Sequence, residues 1–360
     1  MQLKRITLFH FRNIQDTSLE LSARVNLVVG KNGQGKTNLL EAIALLSRGR
    51  SFRTSSSKEL IHWEEKEASV FAEVQESQGN FQIGVSFQNG ERQLYLHGER
   101  VKSISDFIAR LLVVTFAPSD IEIVKGPPIE RRRFLDAFTT LVFPHTMTHV
   151  VNYQRIIRQK NLLLKQGRAS SISLEPWNKL LVESARPIIK ARRALISRLE
   201  LLIRDYYSRL ACDDGEIRIT PKETLPEDDA TSYLSLHADN EINSRSVLYG
   251  PHRDDMRFLL GGRSARSFSS QGQARTFVLA LKIAAIQVIE QERGESPVVL
   301  LDDVDAELDR DRRTAFFNAV YSEQRQFVIT GTELERDELL VKREHKVIRV
   351  ERGVLTCADG

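Results

Sequence analysis

The string Gly30-Lys31-Asn32-Gly33-Gln34-Gly35-Lys36-Thr37 has the form GxxxxGK[ST], a set of residue types suited to a nucleoside triphosphate. Glycine lets the backbone curl until successive N–H groups face one phosphate. Lys36 then reaches the β and γ phosphates, and the Thr37 hydroxyl is placed to bind Mg²⁺. A second group lies far along the chain, where Ser296-Pro297-Val298-Val299-Leu300-Leu301-Asp302-Asp303 is an apolar run closed by two carboxylates. Asp302 suits a metal ligand, direct or through water, and Asp303 suits the group that orients an attacking water or takes its proton. A third is Ser269-Ser270-Gln271-Gly272-Gln273, where Ser270, Gly272 and Gln273 offer a hydroxyl, amide groups and a positive helix end to a phosphate. Each of the last two patterns also suits a plain helix cap, and Asp309 is better placed than Asp302 for that task.

These groups need particular elements behind them. The run Val25–Val29 predicts a strand ahead of the glycine-rich loop, and residues 38–46 predict a helix after it, so that the loop receives the positive end of a helix. Val298–Leu301 has no alternation, as expected of a strand covered on both faces. Further strands are expected at 3–9, 69–75, 80–88, 92–96, 246–250 and 326–329, with hairpin turns at Gly79-Asn80 and Asn89-Gly90. After Pro118, Pro127 and Pro128 the texture becomes helical over 129–141, 145–165 and 176–210, and a helix is again expected over 273–292. No internal repeat or low-complexity run interrupts this order.

At 360 residues and 41% hydrophobic side chains the chain is long enough for two or three compact units. Two cysteines, Cys212 and Cys357, make no disulfide framework and no metal-ligand spacing. The start, Met1-Gln2-Leu3-Lys4-Arg5-Ile6, is not the apolar core of a signal peptide, and even 277–289 is broken by Lys282 and Gln287. The expectation is a cytoplasmic protein without a membrane anchor. Net charge is only +4, but its distribution is uneven. Residues 151–210 hold thirteen basic side chains against four acidic ones, a net +9. Residues 211–241 are acidic and predict a charged, irregular connector around Pro221 and Pro226. The basic stretch suits a nucleic-acid backbone, and equally the wet faces of a helical hairpin.

The glycine-rich loop, the serine-glycine-glutamine string, the acidic strand end and Ala306-Glu307-Leu308-Asp309 in the place of a D-loop follow the order of ABC-type ATPases of the SMC and Rad50 group. More narrowly, the chain resembles the RecF family of bacterial recombination mediators. The strings that carry this are Phe11-Arg12-Asn13, Gly49-Arg50-Ser51-Phe52-Arg53-Thr54, Phe116-Ala117-Pro118-Ser119-Asp120, Arg131-Arg132-Arg133-Phe134-Leu135-Asp136, Tyr153 with Gln159-Lys160-Asn161, and Gly250-Pro251-His252-Arg253-Asp254-Asp255. Departures exist. Asp303 stands where ABC enzymes place a glutamate, no glutamine lies within 113–125 for a Q-loop, and Thr330-Gly331-Thr332 replaces a switch histidine. The family's Arg-Asn pair reads Lys160-Asn161, which removes a bidentate guanidinium.

The resemblance implies an α/β protein: an ABC-type P-loop ATPase head, with mixed and antiparallel sheets around the P-loop, and an inserted helical lobe. The corresponding divisions are 1–117 and 246–360 for the head and 118–245 for the lobe. It also implies an ATP-dependent homodimer in which Ser270 to Gln273 of one chain closes on the P-loop of another, with slow hydrolysis because Asp303 is one methylene short. DNA at single- and double-strand junctions, a RecR-type mediator and, indirectly, the RecA recombinase are the implied partners in repair, replication and the SOS response. Arg12 is a candidate phosphate contact, and Arg158, Lys160, Lys190, Arg192 and Arg193 are candidate DNA contacts. His252 and Arg253 are either a further contact or, through Asp254 or Asp255, a structural ion pair. An ABC subunit of a transporter shares the nucleotide motifs, but should carry the missing Q-loop glutamine and switch histidine.

Overall fold

Val25–Val29 is buried at all five positions because it lies inside a parallel sheet. It runs between Phe327–Gly331 and His345–Glu351, parallel to both. The order continues from Phe327–Gly331 through Val298–Leu301 to Val113–Phe116, again parallel, and Val354–Ala358 adds an antiparallel edge. Strands covered on both faces read as unbroken apolar runs, which is why the expected Val298–Leu301 and Val25–Val29 have no alternation. A second six-stranded sheet is antiparallel: Gln2–Phe9 pairs with Thr17–Glu20 and Glu67–Glu76, and a meander follows through Gly79–Gln88, Glu91–Leu96 and Glu99–Arg100. The buried Gln326 side chain fastens Gln2–Phe9, accepting from the Leu3 N–H at 2.7 Å and donating to its carbonyl at 2.9 Å.

The computed structural model describes residues 1–54, 56–167, 169–211, 216–303, 310–332 and 344–358. The D-loop candidates Ala306 to Asp309, the basic Arg168 and the cysteine Cys212 lie outside the described residues. Two compact units are present. One comprises Met1–Ile121, Asp205–Asp214 and Arg275–Gly360 and contains both large sheets; the other comprises Glu122–Arg204 and Gly215–Ala274. The architecture is α/β with several sheets, as expected.

The second unit is built on Pro128–Val142, Thr146–Lys165 and most of Ser171–Ala211, with Leu181, Ala185 and Ile188 packed in one core with Tyr153, Leu164 and Leu234. The long helix starts five residues before the expected Pro176. Ser170 and Ser173 cap it reciprocally, each hydroxyl accepting the other's N–H, at 3.2 and 2.8 Å, and this local pairing overrides the proline signal. The acidic connector also differs from expectation. Ile217–Lys222 is an edge strand on Asp255–Leu260, which tolerates Pro221 there, and Ala230–Leu236 and Ala238–Ser244 are short helices. No strand forms at 246–250, because side chains take its amides: Asn161 takes Val247, Glu241 takes Leu248 and Thr224 takes Gly250, each at 2.9 Å.

These acidic residues also correct three candidate DNA contacts. Lys160 is fully buried, with its ammonium 2.5 Å from Glu241 and 2.6 Å from Asn178. Arg192 is buried on Asp136 and the Pro251 carbonyl, and Arg193 forks onto Glu223 and Glu227. Lys160 and Arg192 are withdrawn from solvent and all three cations are engaged by carboxylates, so these side chains hold the lobe together. Arg131 forms the ion pair with Asp255, whereas the Arg253 guanidinium donates to the Val247 carbonyl. Lys160→Met, which leaves Glu241 buried without its cation, is expected to lower unfolding free energy by about 3–5 kcal/mol in chemical denaturation. The double change Lys160→Met with Glu241→Leu should recover much of that loss.

Candidate nucleotide site

Loop 30–35 joins the central strand to the helix Lys36–Arg48, and two of the glycines that shape it, Gly30 and Gly35, have close neighbours that exclude a side chain. A Cβ on Gly30 would overlap the Val350 carbonyl oxygen. Gly35, at φ 117°, is the N-cap, and a Cβ there would stand 2.8 Å from Asn13 Oδ1. Lys36 folds back over the curl, donating to the Gly30 carbonyl at 2.6 Å and the Lys31 carbonyl at 3.1 Å, with Asn32 Oδ1 at 3.4 Å. Lys31, Asn32 and Gly33 are exposed, and Gln34 holds the far side of the loop: its carbonyl accepts from Asn13 Nδ2 and the Gly353 amide.

Two distant segments meet at one carboxylate. Thr37 Oγ1 donates to Asp302 at 2.9 Å, and Thr330 Oγ1 donates to the same carboxylate at 2.8 Å. Thr330 Oγ1 also accepts the Asp303 amide at 2.9 Å, at a residue held in the left-handed region at φ 52°. Burial pushes the Asp302 carboxyl above its ordinary value; the hydroxyls of Thr330 and Thr37 oppose that shift, and the neighbouring Asp303 charge adds to it. The residues fit a triphosphate with a divalent metal. The loop excludes side-chain volume at Gly30 and Gly35, an ammonium lies over it, and a hydroxyl and a carboxylate, both hard oxygen donors, stand together at its end.

Arg12, expected as a phosphate contact, is engaged with the helix that follows the loop. Its fork lies on Glu41 of the loop helix at 3.0 and 2.8 Å, and Glu41 is fully buried. Ser51 donates to the same carboxylate, as does Arg53 at 3.2 Å, while Arg53 also reaches Asn38 at 2.7 Å. A buried carboxylate gathered by two guanidinium groups and a hydroxyl fixes the helix that carries Lys36 and Thr37. Asn13, Glu41, Arg53 and Thr330 are the site residues that motif reading missed. The strings Phe11-Arg12-Asn13 and Gly49 to Thr54 contained the signal for the support of the loop, and Thr330 stood in the string noted for lacking a histidine.

Ser270 opens the helix Gln271–Arg293 with a capping box: Ser270 Oγ accepts the Gln273 amide at 3.1 Å, and Gln273 Oε1 accepts the Ser270 amide at 2.9 Å. Ser270, Gln271 and Gln273 are exposed. The capped hydroxyl serves as acceptor, so its proton stays available to an anion. Gln271–Arg293 has the length and apolarity to cross a bilayer, contrary to the expectation that no stretch would, but 72% of its apolar window is buried in the fold as a core helix.

The family model described as RecF/RecN/SMC N terminal domain matches residues 2–355. The "DNA replication and repair protein RecF" of Heliobacterium modesticaldum is 36% identical over 371 residues, covering all of both chains, and that of Limosilactobacillus reuteri is 33% identical over 99% of this chain and 98% of the relative. A solved structure of the recombination mediator protein RecF with ATP, in the RecFOR pathway, superposes with a TM-score of 0.91 at 30% identity, covering 99% of this chain and 98% of that one. The chain belongs to the RecF family. An Smc head bound to the C-winged helix domain of ScpA shares the fold at a TM-score of 0.60 and 17% identity.

As a RecF-family chain, this one places its metal candidates Thr37 and Asp302 in direct contact, which allows a test by pH and substitution. A carboxyl with a raised pKa keeps its proton longer as pH rises, and a metal needs it deprotonated. The gain in ATP affinity from Mg²⁺ should therefore be largest at neutral pH and disappear on acidification at a pH above the ordinary carboxylate value of 3.8. Isothermal titration of Asp302→Asn should show that gain reduced at every pH, with Mg²⁺-free nucleotide binding retained. In the folded state the same raised value favours the protonated form, so this carboxyl's contribution to stability declines as pH rises through the interval above 3.8.

Proposed function

We propose that the chain is an ATP-dependent DNA-binding protein of recombinational repair and replication that closes as a dimer around shared nucleotide. The observation that carries this reading is the exposed, capped Ser270 in a chain whose P-loop threonine and strand-end carboxylate already stand together. Residues 30–37 hold the phosphates, Lys36 neutralises them, and Thr37 and Asp302 would hold Mg²⁺, which when bound withdraws charge from the phosphoryl oxygens. Ser270, Gly272 and Gln273 of a second chain supply a hydroxyl and amide groups to the same γ-phosphate. ATP binding energy then becomes dimerisation energy, since only the closed pair makes both sets of contacts. Asp303 orients the water, and its short side chain makes turnover slow. Loss of the γ-phosphate removes the contacts that hold the second chain, and the dimer opens.

The relatives support the DNA reading by what they are: a DNA replication and repair protein and a recombination mediator of the RecFOR pathway. A RecR-type partner, help in loading RecA, junction DNA and a cytoplasmic location come with that reading. With Lys160, Arg192 and Arg193 committed to carboxylates, the phosphate contacts are assigned to exposed cations of the helical unit. Arg155 and Arg158 share one face of Thr146–Lys165, and Arg186 and Lys190 share one face of Ser171–Ala211. Phosphate contacts release counterions, so affinity falls with salt in proportion to their number. Arg158→Glu and Lys190→Glu should each reduce the slope of log affinity against log salt by about one.

Sedimentation with and without ATP and gapped DNA tests the whole reading. The wild type is expected to dimerise with ATP, and Lys36→Ala and Ser270→Arg to remain monomeric, Ser270→Arg while still binding ATP. A Ser270→Arg chain that dimerises like the wild type would overturn the shared-nucleotide mechanism.

A further inference from the structure

The peptide unit that joins Ser269 to Ser270 is held at both polar ends. Its N–H donates to Gln273 Oε1 at 2.9 Å, and its carbonyl accepts from the Lys125 ammonium. That ammonium also donates to the carbonyls of Arg266, at 3.2 Å, and Ala265, at 3.4 Å. Ala265–Phe268 is a single helical turn, closed by the Ser269 amide and hydroxyl, which donate to the Ala265 carbonyl at 3.2 and 2.5 Å. One ammonium has three donors, and here all three point at carbonyl oxygens of the segment that leads into the signature.

Lys125 is itself fixed. It ends the short helix Glu122–Lys125, and its own carbonyl accepts from Arg266 Nε at 3.4 Å. The next carbonyl, Gly126, accepts from the buried Arg131 at 3.0 Å, and Arg131 forks onto Asp255 at 2.7 and 3.1 Å. Asp255 begins the strand Asp255–Leu260, which turns through Arg263–Ser264 into the same one-turn helix. The bonds close a ring within this unit, and Ser270 leaves it at the point Lys125 holds.

We propose that Lys125 is a positioning residue for the signature: by holding the Ser269 carbonyl it sets the direction in which Ser270 presents its hydroxyl to the nucleotide of a second chain. This rests on the shared-nucleotide reading above. The described hydrogen bonds of the Lys125 ammonium go to the segment before Ser270 and none to residues 30–37, so its loss should affect the half-site it supports and leave the P-loop of its own chain intact. A guanidinium keeps the charge but is planar, and does not place three donors as an ammonium does.

The test uses full-length Lys125→Met and Lys125→Arg, with nucleotide-dependent dimerisation read by sedimentation, ATP affinity by titration, and melting temperature as a check on folding. Lys125→Met should bind ATP within about twofold of the wild type while dimerising at least about tenfold more weakly, since about 1.4 kcal/mol lost from the shared contact is a factor of ten. Lys125→Arg should keep the wild-type melting temperature and recover dimerisation only in part. Chain mixing separates positioning from general damage. A pair of Lys125→Met and Lys36→Ala chains has one site built from an intact P-loop and an intact signature, so mixing should give ATP-dependent association stronger than either chain shows alone. Ser270→Arg mixed with Lys36→Ala is the control. If the control also fails to associate, the shared-nucleotide reading fails; if the control associates and Lys125→Met dimerises like the wild type, or is not rescued by mixing, the assignment of Lys125 is wrong.

Discussion

A carboxylate at the end of a fully buried strand is stable only where donors face it, and at Asp302 those donors are the hydroxyls of Thr37 and Thr330. This one group ties together the ends of three neighbouring strands, since Thr37 follows Val25–Val29, Thr330 lies in Phe327–Gly331 and Asp302 follows Val298–Leu301. Burial raises its pKa, so the site holds a carboxyl whose charged form is strained until hydroxyls or a cation meet it. The hydroxyl and carboxylate that a metal would need are thus brought together by packing alone. The remaining support, from Glu41 with Arg12, Ser51 and Arg53, keeps the loop helix aimed at that point.

Charge in the helical unit follows a related rule. A net +9 over residues 151–210 looks like a single basic surface, yet the fold sorts it by depth. Lys160 and Arg192 go inside, where acidic residues from outside that stretch neutralise them. Arg155, Arg158, Arg186 and Lys190 stay at the surface. Only the second group has hydration to exchange for phosphate oxygens.

Much of the nucleotide site was legible from the sequence because its logic is local. GxxxxGK[ST] needs a strand before it and a helix after it, and both stand where the apolar runs Val25–Val29 and 38–46 placed them. The strand Val298–Leu301 was equally plain, since cover on both faces leaves no polar position. What escaped depends on pairing across long separations. Nothing within 160–161 tells that Glu241 will bury Lys160, and nothing around Thr330 tells that its hydroxyl meets Asp302. The strand Ile217–Lys222 was hidden by its proline and its acidic neighbours, although Ile217 and Ile219 alternate with polar residues as an edge strand requires. Ser171–Ala211 was begun late because proline marks a first turn in general, while the Ser170 and Ser173 hydroxyls decided the start here.

The central claim is that two chains share each nucleotide, and cysteine cross-linking measures it most directly. In a background with Cys212 and Cys357 replaced by serine, one tagged chain carries Ser270→Cys and a second carries Lys31→Cys at the exposed rim of the P-loop. With a nonhydrolysable ATP analogue and a short bifunctional reagent, the account predicts a cross-link between the two differently tagged chains that vanishes without nucleotide. A single chain carrying both cysteines that links only to itself, with no product of doubled mass at any nucleotide concentration, would contradict it.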